Sequence, residues 1–513
     1  MSNDLMAHTD GVRELAAQRK FRRAMMSTLL ILVLLIGTSC TQRSPDTFTE
    51  YLDGRIPRLM NQYDIPGASV AVVRDGDLVW SEAYGYADLE HERKMRVDAV
   101  YRAESISKSV TAWGVMRLVE QGRIDLDTPV QQYLDDWQLP DDTRQEVTIR
   151  RLLSQSAGMP LGPIGVAVEY APQSAMPSLR DYLAQEARLV REPGSGFLYS
   201  NVGFNLLELL IEEVTGRDFA AYMADEVLTP LGMHSSSFAW KETLRPLIPM
   251  GYEQQGTPVP PYVYPASASG GLLASVEDIA RFVSAEMRRP YDEDHAVLEH
   301  DSIRELHTPE VDVSDISGVV ADSYGLGHFV ENLPGGRRAV WHGGQGHGWM
   351  THFLAVPESG DGVVILTNSE RSWPFMAHVL TDWARWSGFG SVKMGRIIYA
   401  TIGLRTLIGM GALFSLWQVY CLLRGLRSGN RGWAPLSRDS RNARLLQAAL
   451  GIGVITALAW SAAQPYLMVV SVFPSTVGWA GGTFLVWAVT MILSALFAPE
   501  RSCVRDRGNG LER

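Results

Sequence analysis

No cysteine lies between Cys40 and Cys421, and Cys503 is the only other one in the chain. The long middle of the sequence therefore has neither a disulfide framework nor a thiolate metal site. Positive charge is also scarce. Lys and Arg total 46 against 57 Asp and Glu, a net charge of -11 over 513 residues. That balance gives no electrostatic footprint for a nucleic-acid partner. The chain has no internal repeat and no low-complexity tract, which excludes a solenoid or an extended linker. Its length fits one large domain with further segments attached.

Those segments lie at the two ends. Arg13, Arg19, Lys20, Arg22 and Arg23 precede an apolar run from Ala24 to Gly37, followed by Thr38, Ser39 and Cys40. This is the layout of a secretory signal, and the run is short for a membrane span. Gly37-Thr38-Ser39-Cys40 also has the form of a lipoprotein cleavage box, with Gly37 where an aliphatic residue is usual. A cleaved signal, a lipidated Cys40 and an uncleaved anchor would all export the long middle of the chain. At the far end, residues 406–423, 445–464 and 477–497 are three apolar stretches. Each is near the roughly 20 residues that a spanning helix needs. Residues 424–444 carry six arginines and one aspartate, the tail carries Arg501, Arg505, Arg507 and Arg513, and residues 465–476 carry no charge. The positive-inside rule then places the arginine loop and tail in the cytoplasm and the middle of the chain outside. Arg405 would cost about 2.5–3.5 kcal/mol at mid-bilayer, so it belongs near the outer interface. The expected organisation is a signal or anchor over 1–45, a catalytic domain over 46–390 and a three-helix membrane domain over 391–513.

Within the middle region, residues 68–73 read as a strand, 74–77 as a tight turn around Gly76, and 78–84 as the returning strand. A helix opens at Ser105 and runs to about Gln121, stopped by Gly122. Val110, Trp113, Met116, Leu118 and Val119 give it apolar sides, which predicts a central, buried position. Residues 151–158 form a short helix with a glycine turn, 194–200 a loop, 201–215 a helix closed by Gly216, and 276–287 an amphipathic helix. Strands are expected at 325–330, 339–342, 351–356 and 363–367, then a helix over 374–386. Strands come first and last with helices between. This predicts an α+β fold: an antiparallel sheet made from both ends of the domain, flanked by helices, with a helical region inserted.

Three short motifs carry chemistry. Ser105 and Lys108 are three residues apart at a helix start, so they share a face. A serine needs a base, and a lysine becomes one only when its pKa falls well below about 10.4. The helix N-terminus favours negative charge on a reacting oxygen. Taken alone, the same residues also read as a serine cap and a solvated lysine. Tyr199 and Asn201 sit two apart in the loop before a helix, where both can enter one cleft; a packed ring with Asn201 as N-cap is the plainer alternative. His342, Gly343, Gly344 and Gln345 follow the strand residues Val340 and Trp341. Two glycines let a substrate lie against an edge strand, or simply make a bulge beside a structural histidine. His342, His347 and His352 alternate sides at five-residue spacing without a carboxylate or cysteine, which argues against a metal there.

In this order, over about residues 48–390, the sequence resembles the serine β-lactamase and penicillin-binding-protein superfamily. It is similar to the branch of class C β-lactamases, low-molecular-mass D,D-peptidases and related esterases. The stretches 65–72, 152–158 and 193–203 look like further family landmarks. The resemblance implies Ser105 as nucleophile, with Lys108 and Tyr199 sharing the base work. It implies Asn201, His342, Gly344 and Gln345 on the substrate, an oxyanion hole from the N–H groups of Ser105 and Gln345, and no metal or organic cofactor. His342 stands where β-lactamases usually carry lysine, so esters and D-amino-acid peptides are expected ahead of cephalosporins. The leading reading is an exported, membrane-tethered serine hydrolase acting on peptide, ester or lactam acyl groups, its substrate a small molecule or a peptide such as cell-wall peptide. The alternatives are a non-catalytic receptor for β-lactam or cell-wall peptide that signals through its helices, and a membrane scaffold for partner proteins.

Overall fold

The computed structural model describes residues 47–135, 137–139, 144–287, 297–433, 441–463 and 468–499. The expected signal segment with Cys40, part of the arginine loop and the arginine tail lie outside them. The chain forms a short unit ending at Leu52 and a large one from Asp53 onward. Helix α1 is Phe48–Tyr63.

A nine-stranded antiparallel sheet organises the large unit. Its strands are β1 (Gly67–Arg74), β2 (Asp77–Asp88), β3 (Arg93–Lys94), β4 (Val311–Asp312), β5 (Ser323–Tyr324), β6 (Phe329–Asn332), β7 (Arg338–Gly346), β8 (Trp349–Val356) and β9 (Asp361–Thr367). They lie in the order β3-β2-β1-β9-β8-β7-β6-β5-β4. The first strand therefore pairs with the last, Ala68 opposite Thr367. This is the sheet from both ends that the sequence predicts. β1 is buried on both faces except at Arg74, so its Val-rich run needs cover above and below. Between β3 and β4 the chain builds the inserted helical region, including α2 (Ile106–Glu120), α3 (Asn201–Thr215) and α4 (Val276–Glu286). α4 packs on β1 and β9. α2 is buried on all sides, with Val110, Trp113, Met116 and the polar Lys108 all enclosed.

Two of the differences from the expected strands lie near the site. Residues 325–330 are not one strand. Gly325 N–H donates to His328 O in a tight turn at 2.8 Å, separating β5 from β6. β7 also continues past His342 to Gly346, because Gly343 to Gly346 keep their ladder with β8. Apolar periodicity carries neither signal, since glycines have no side chain to count.

α5 (Trp373–Trp386) leads to α6 (Arg396–Arg427), α7 (Arg441–Ala462) and α8 (Val477–Leu496). The last three are long and apolar enough to cross a membrane. α6 exposes Tyr399, Leu407, Leu413, Leu416 and Trp417, the outer surface expected of a helix solvated by lipid. α7 meets α8 at Gly451, where a Cβ would press on Ile492 and the Ala488 carbonyl. A short helix, Met468–Val472, lies between α7 and α8 and has no counterpart in the apolar pattern.

Candidate active site

The turn before Ser105 is held by a buried ion pair. Glu104 adopts a left-handed backbone, φ 50°, a conformation that non-glycine residues rarely take. Its carboxylate accepts from Arg102 Nε at 2.7 Å, Tyr262 OH at 3.1 Å and Tyr264 OH at 3.0 Å. Arg102 lies over the Tyr262 and Tyr264 rings, 4.0 and 4.6 Å from their centroids. Removing one partner would leave a buried charge uncompensated, which costs about 3–5 kcal/mol. The network fixes Ala103 and Glu104 and so delivers Ser105 to the N-terminus of α2.

Lys108 is fully buried one turn on. Its Nζ is 3.1 Å from Ser105 Oγ, 2.8 Å from Asn201 Oδ1 and 2.7 Å from the Ser269 carbonyl. Burial lowers its pKa to about 7, against the Glu104 carboxylate, which works the other way. A neutral amine has two N–H donors and one lone pair. Asn201 Oδ1 and Ser269 O can only accept, so they take the donors and leave the lone pair for the Ser105 hydroxyl. The three contacts thus suit a lysine acting as base toward Ser105.

Tyr199 stands on the other side of the amine, whose Nζ lies 4.9 Å from the ring centroid. Burial raises its pKa, offset in part by a hydrogen bond with Ser105. The loop is shaped by Gln155, whose Oε1 accepts from Ser200 N at 2.7 Å. Ser200, rather than Asn201, caps α3, accepting from Gly203 N. Asn201 is thereby free of the capping role and turns its amide oxygen to Lys108.

β7 forms the facing wall. It pairs with β6 only as far as Trp341, and residues 342–346 keep their ladder with β8. Gly344 and Gly346 let the strand press on the turn before Ser105. A Cβ at Gly344 would collide with Thr351 Oγ1 and the Ala103 carbonyl, and one at Gly346 with the Glu104 carboxyl. Gly344 is buried and the space a side chain would take is filled by the protein, so the substrate contact expected of it would run through its backbone. His342, expected to line the cleft, has both ring nitrogens engaged by the protein. It is wholly buried, with Nε2 3.1 Å from Tyr324 OH and Nδ1 2.9 Å from the Gly343 carbonyl. Burial, then the charge of Lys108, hold it well below the usual imidazole range. It is a neutral ring 6.2 Å from that of Tyr199. Gln345 is partly exposed. Its Oε1 accepts from Trp373 Nε1 at 3.1 Å and its Nε2 donates to Ser471 Oγ at 3.0 Å. Ser471, on the short helix between α7 and α8, is buried and donates on to the Glu370 carbonyl.

The three histidines of the five-residue spacing separate into unlike settings. His352 is buried, which pushes it down to about 3. His347, in the hairpin, is raised to about 9 by hydrogen bonds to Glu169 and also to Glu253. Sequence reasoning missed Arg102, Glu104, Tyr262, Tyr264, Ser269 and Tyr324. Only Tyr262 and Tyr264, spaced two apart beside prolines, left a visible trace.

The site therefore brings Ser105, Lys108, Tyr199 and Asn201 together from α2 and the loop before α3, with β7 opposite. Residues 52–382 match the Beta-lactamase family. "Protein flp" of Staphylococcus aureus is 26% identical over 434 residues, covering 82% of this chain and 83% of that protein. "Esterase EstB" of Burkholderia gladioli is 30% identical over 276 residues, 47% of this chain and 70% of that protein. Among solved structures, the octameric penicillin-binding protein homologue from Pyrococcus abyssi aligns with TM-score 0.56 at 28% identity, over 67% of this chain and 78% of that one. A penicillin binding protein from Bacillus halodurans aligns with TM-score 0.52 at 26% identity, over 61% and 94%. With a match spanning more than half its length, and the helix that follows Ser105 set between the two ends of one antiparallel sheet, the chain belongs to the Beta-lactamase family, within the serine β-lactamase and penicillin-binding-protein superfamily.

Proposed function

We propose that the protein is an exported, membrane-tethered serine hydrolase that forms an acyl-enzyme on Ser105. The observation that carries this reading is the amine of Lys108, poised near pKa 7 with its third contact on Ser105 Oγ. Lys108 takes the hydroxyl proton as Oγ bonds to the substrate carbonyl carbon, either directly or through Tyr199, whose phenol would pass its own proton to the amine as it accepts that of Ser105. The N–H groups of Ser105 and Gln345 receive the oxyanion, where one donor is worth about 10²–10³ in rate. Collapse breaks the bond to the leaving group, which takes back the proton, and water then releases the acid by the same route in reverse. The likeness to an esterase supports ester substrates. His342, buried and neutral, offers a substrate carboxylate no charge, which favours neutral esters and sets cephalosporins behind them. The membrane helices and the basic segments flanking them support a tether with the catalytic domain on the outer side.

The test labels the full-length protein with fluorescent fluorophosphonate and penicillin probes and follows ester and nitrocefin turnover. Ser105→Ala is expected to abolish labelling and to lower kcat by about 10⁴–10⁶. Label persisting in that variant, or rapid nitrocefin turnover beside negligible ester and peptide hydrolysis, sinks the reading. A receptor that signals through its helices is the second reading, and the contact between Ser471 and Gln345 favours it. Repeated ester turnover per chain rules it out.

A further inference from the structure

We propose that Glu286, His307 and His328 form a structural binding site for a zinc-class metal ion, separate from the reaction centre. They come from three elements: the last residue of α4, the residue after the helix His300–Leu306, and the turn between β5 and β6. Their donor atoms lie within 4.8 Å of one another. Glu286 and His328 are completely enclosed, and the His307 side chain is 11% exposed.

The decisive residue is His328. Its Nδ1 is 2.9 Å from the Leu326 carbonyl. That oxygen can only accept, so Nδ1 carries the proton. In the neutral ring, Nε2 is then a bare lone pair. It lies 3.2 Å from Glu286 Oε1, itself a lone-pair atom, and has no hydrogen-bond partner among the described residues. Two lone pairs facing each other in a dry interior need a positive species between them, a proton on Nε2 or a metal ion, and the convergence of a second imidazole on the same carboxylate favours the metal. An imidazole whose other N–H is held by a backbone carbonyl is oriented as metal-ligating histidines are. His307 Nε2 meets the second carboxylate oxygen of Glu286. The two imidazoles stand nearly perpendicular, 79° with centroids 5.3 Å apart, so they converge on the carboxylate instead of stacking. Trp113 Nε1 donates to Glu286 Oε1 at 2.5 Å and so orients the carboxylate from outside. Two imidazoles and a carboxylate suit zinc, at bond lengths of about 2.0–2.2 Å, with the second carboxylate oxygen or a water completing the shell.

The site would act on stability. It would join α4 to the turn at Gly325 to His328, and that turn braces the nucleophile helix: Ser109 Oγ donates to Gly327 O at 2.7 Å. Trp113 lies on the same helix.

The experiment uses untagged full-length protein in detergent. Zinc is counted by mass spectrometry, and melting is recorded before and after EDTA and after ZnCl₂ is restored. We expect one zinc per chain, a midpoint that falls by several degrees on chelation and returns with zinc, and cobalt-substituted protein showing the absorption bands of low-coordinate Co(II). Glu286→Gln and His328→Gln should each lose the metal. The wild-type chelation and cobalt readouts stand even where a variant fails to fold. Protein dialysed against zinc that retains less than a tenth of an equivalent, and melts identically with and without EDTA, overturns the proposal. The trio is then a buried imidazolium–carboxylate pair. Zinc retained in both variants would equally overturn it, by placing the ion elsewhere.

Discussion

Lys108 and Asn201, brought together from α2 and α3, are joined by a 2.8 Å contact between an amine and an amide oxygen. On the proposed mechanism the neutral amine of Lys108 is the base, and burial places its pKa at about 7. Activity should then be present above that value and lost below it. We expect kcat/KM for a neutral ester to fall about tenfold per pH unit below pH 7 and to level off above it. Asn201→Asp puts a carboxylate beside the amine, stabilises the cation and should move the rise upward by roughly 1–3 units. A profile flat from pH 5 to 8 in the wild type would remove Lys108 as the base.

Glu208 holds the loop that presents the Ser269 carbonyl, accepting from Ser267 N at 2.6 Å and Ala268 N at 2.7 Å. Burial raises its pKa to about 8, while those two N–H groups pull it down. The folded pKa lies above the free value of about 4.3, so the native state retains a proton that the unfolded chain releases. Its contribution is complete below the free pKa and is lost as pH rises toward about 8. Differential scanning fluorimetry should show the midpoint declining by several degrees between pH 5 and 8. Glu208→Gln keeps the acceptor without the charge, and its midpoint should be nearly level across that interval.

Gly344→Ala tests the seam between β7 and the nucleophile turn. The added methyl collides with the Ala103 carbonyl, which is backbone and already tied to Thr351 Oγ1 at 2.7 Å. Overpacking of this kind costs about 1–3 kcal/mol. Urea unfolding should show that loss, and fluorophosphonate labelling of Ser105 should slow at least tenfold. Wild-type stability with an unchanged labelling rate would mean that the seam yields.

Much of this arrangement was legible in the sequence, for reasons that mark its limits. Asn201–Thr215 was readable from leucines at helical spacing closed by Gly216, and Val276–Glu286 from its amphipathic pattern. The pairing of Ser105 with Lys108 followed from one helical turn. Arg102, Glu104, Tyr262 and Tyr264 could not be read, because their partnership crosses about 160 positions and each alone is a common surface residue type. The burial of His342 could not be read either. Its residue type says nothing of burial, which is reached only in the folded sheet and holds the ring neutral.

Topology gives the fourth prediction. Fusions to alkaline phosphatase after residues 390 and 470 should be active, and those after 432 and 513 silent, with a cytoplasm-only fluorescent reporter giving the reverse. Three spans return the chain to the inner side, where the arginine segments belong. Phosphatase activity after 513 would mean that one of α6, α7 and α8 does not cross. Gly478 and Gly482, whose spacing suggests a packing face, meet no neighbour within 4 Å among the described residues, whereas Gly451 does.

The hydrogen bond from Gln345 to Ser471 joins a residue of the cleft wall to a loop suspended between two lipid-soluble helices. Arg405 of α6 reaches the same loop, donating to Ser475 at 2.9 Å. A bilayer too thin or too thick for α6–α8 would be met by tilt, and tilt would carry that loop, and Gln345 with it, relative to Ser105. On the proposed function, lipid thickness would be a variable of turnover, and a domain cut free at residue 390 would work with a different wall.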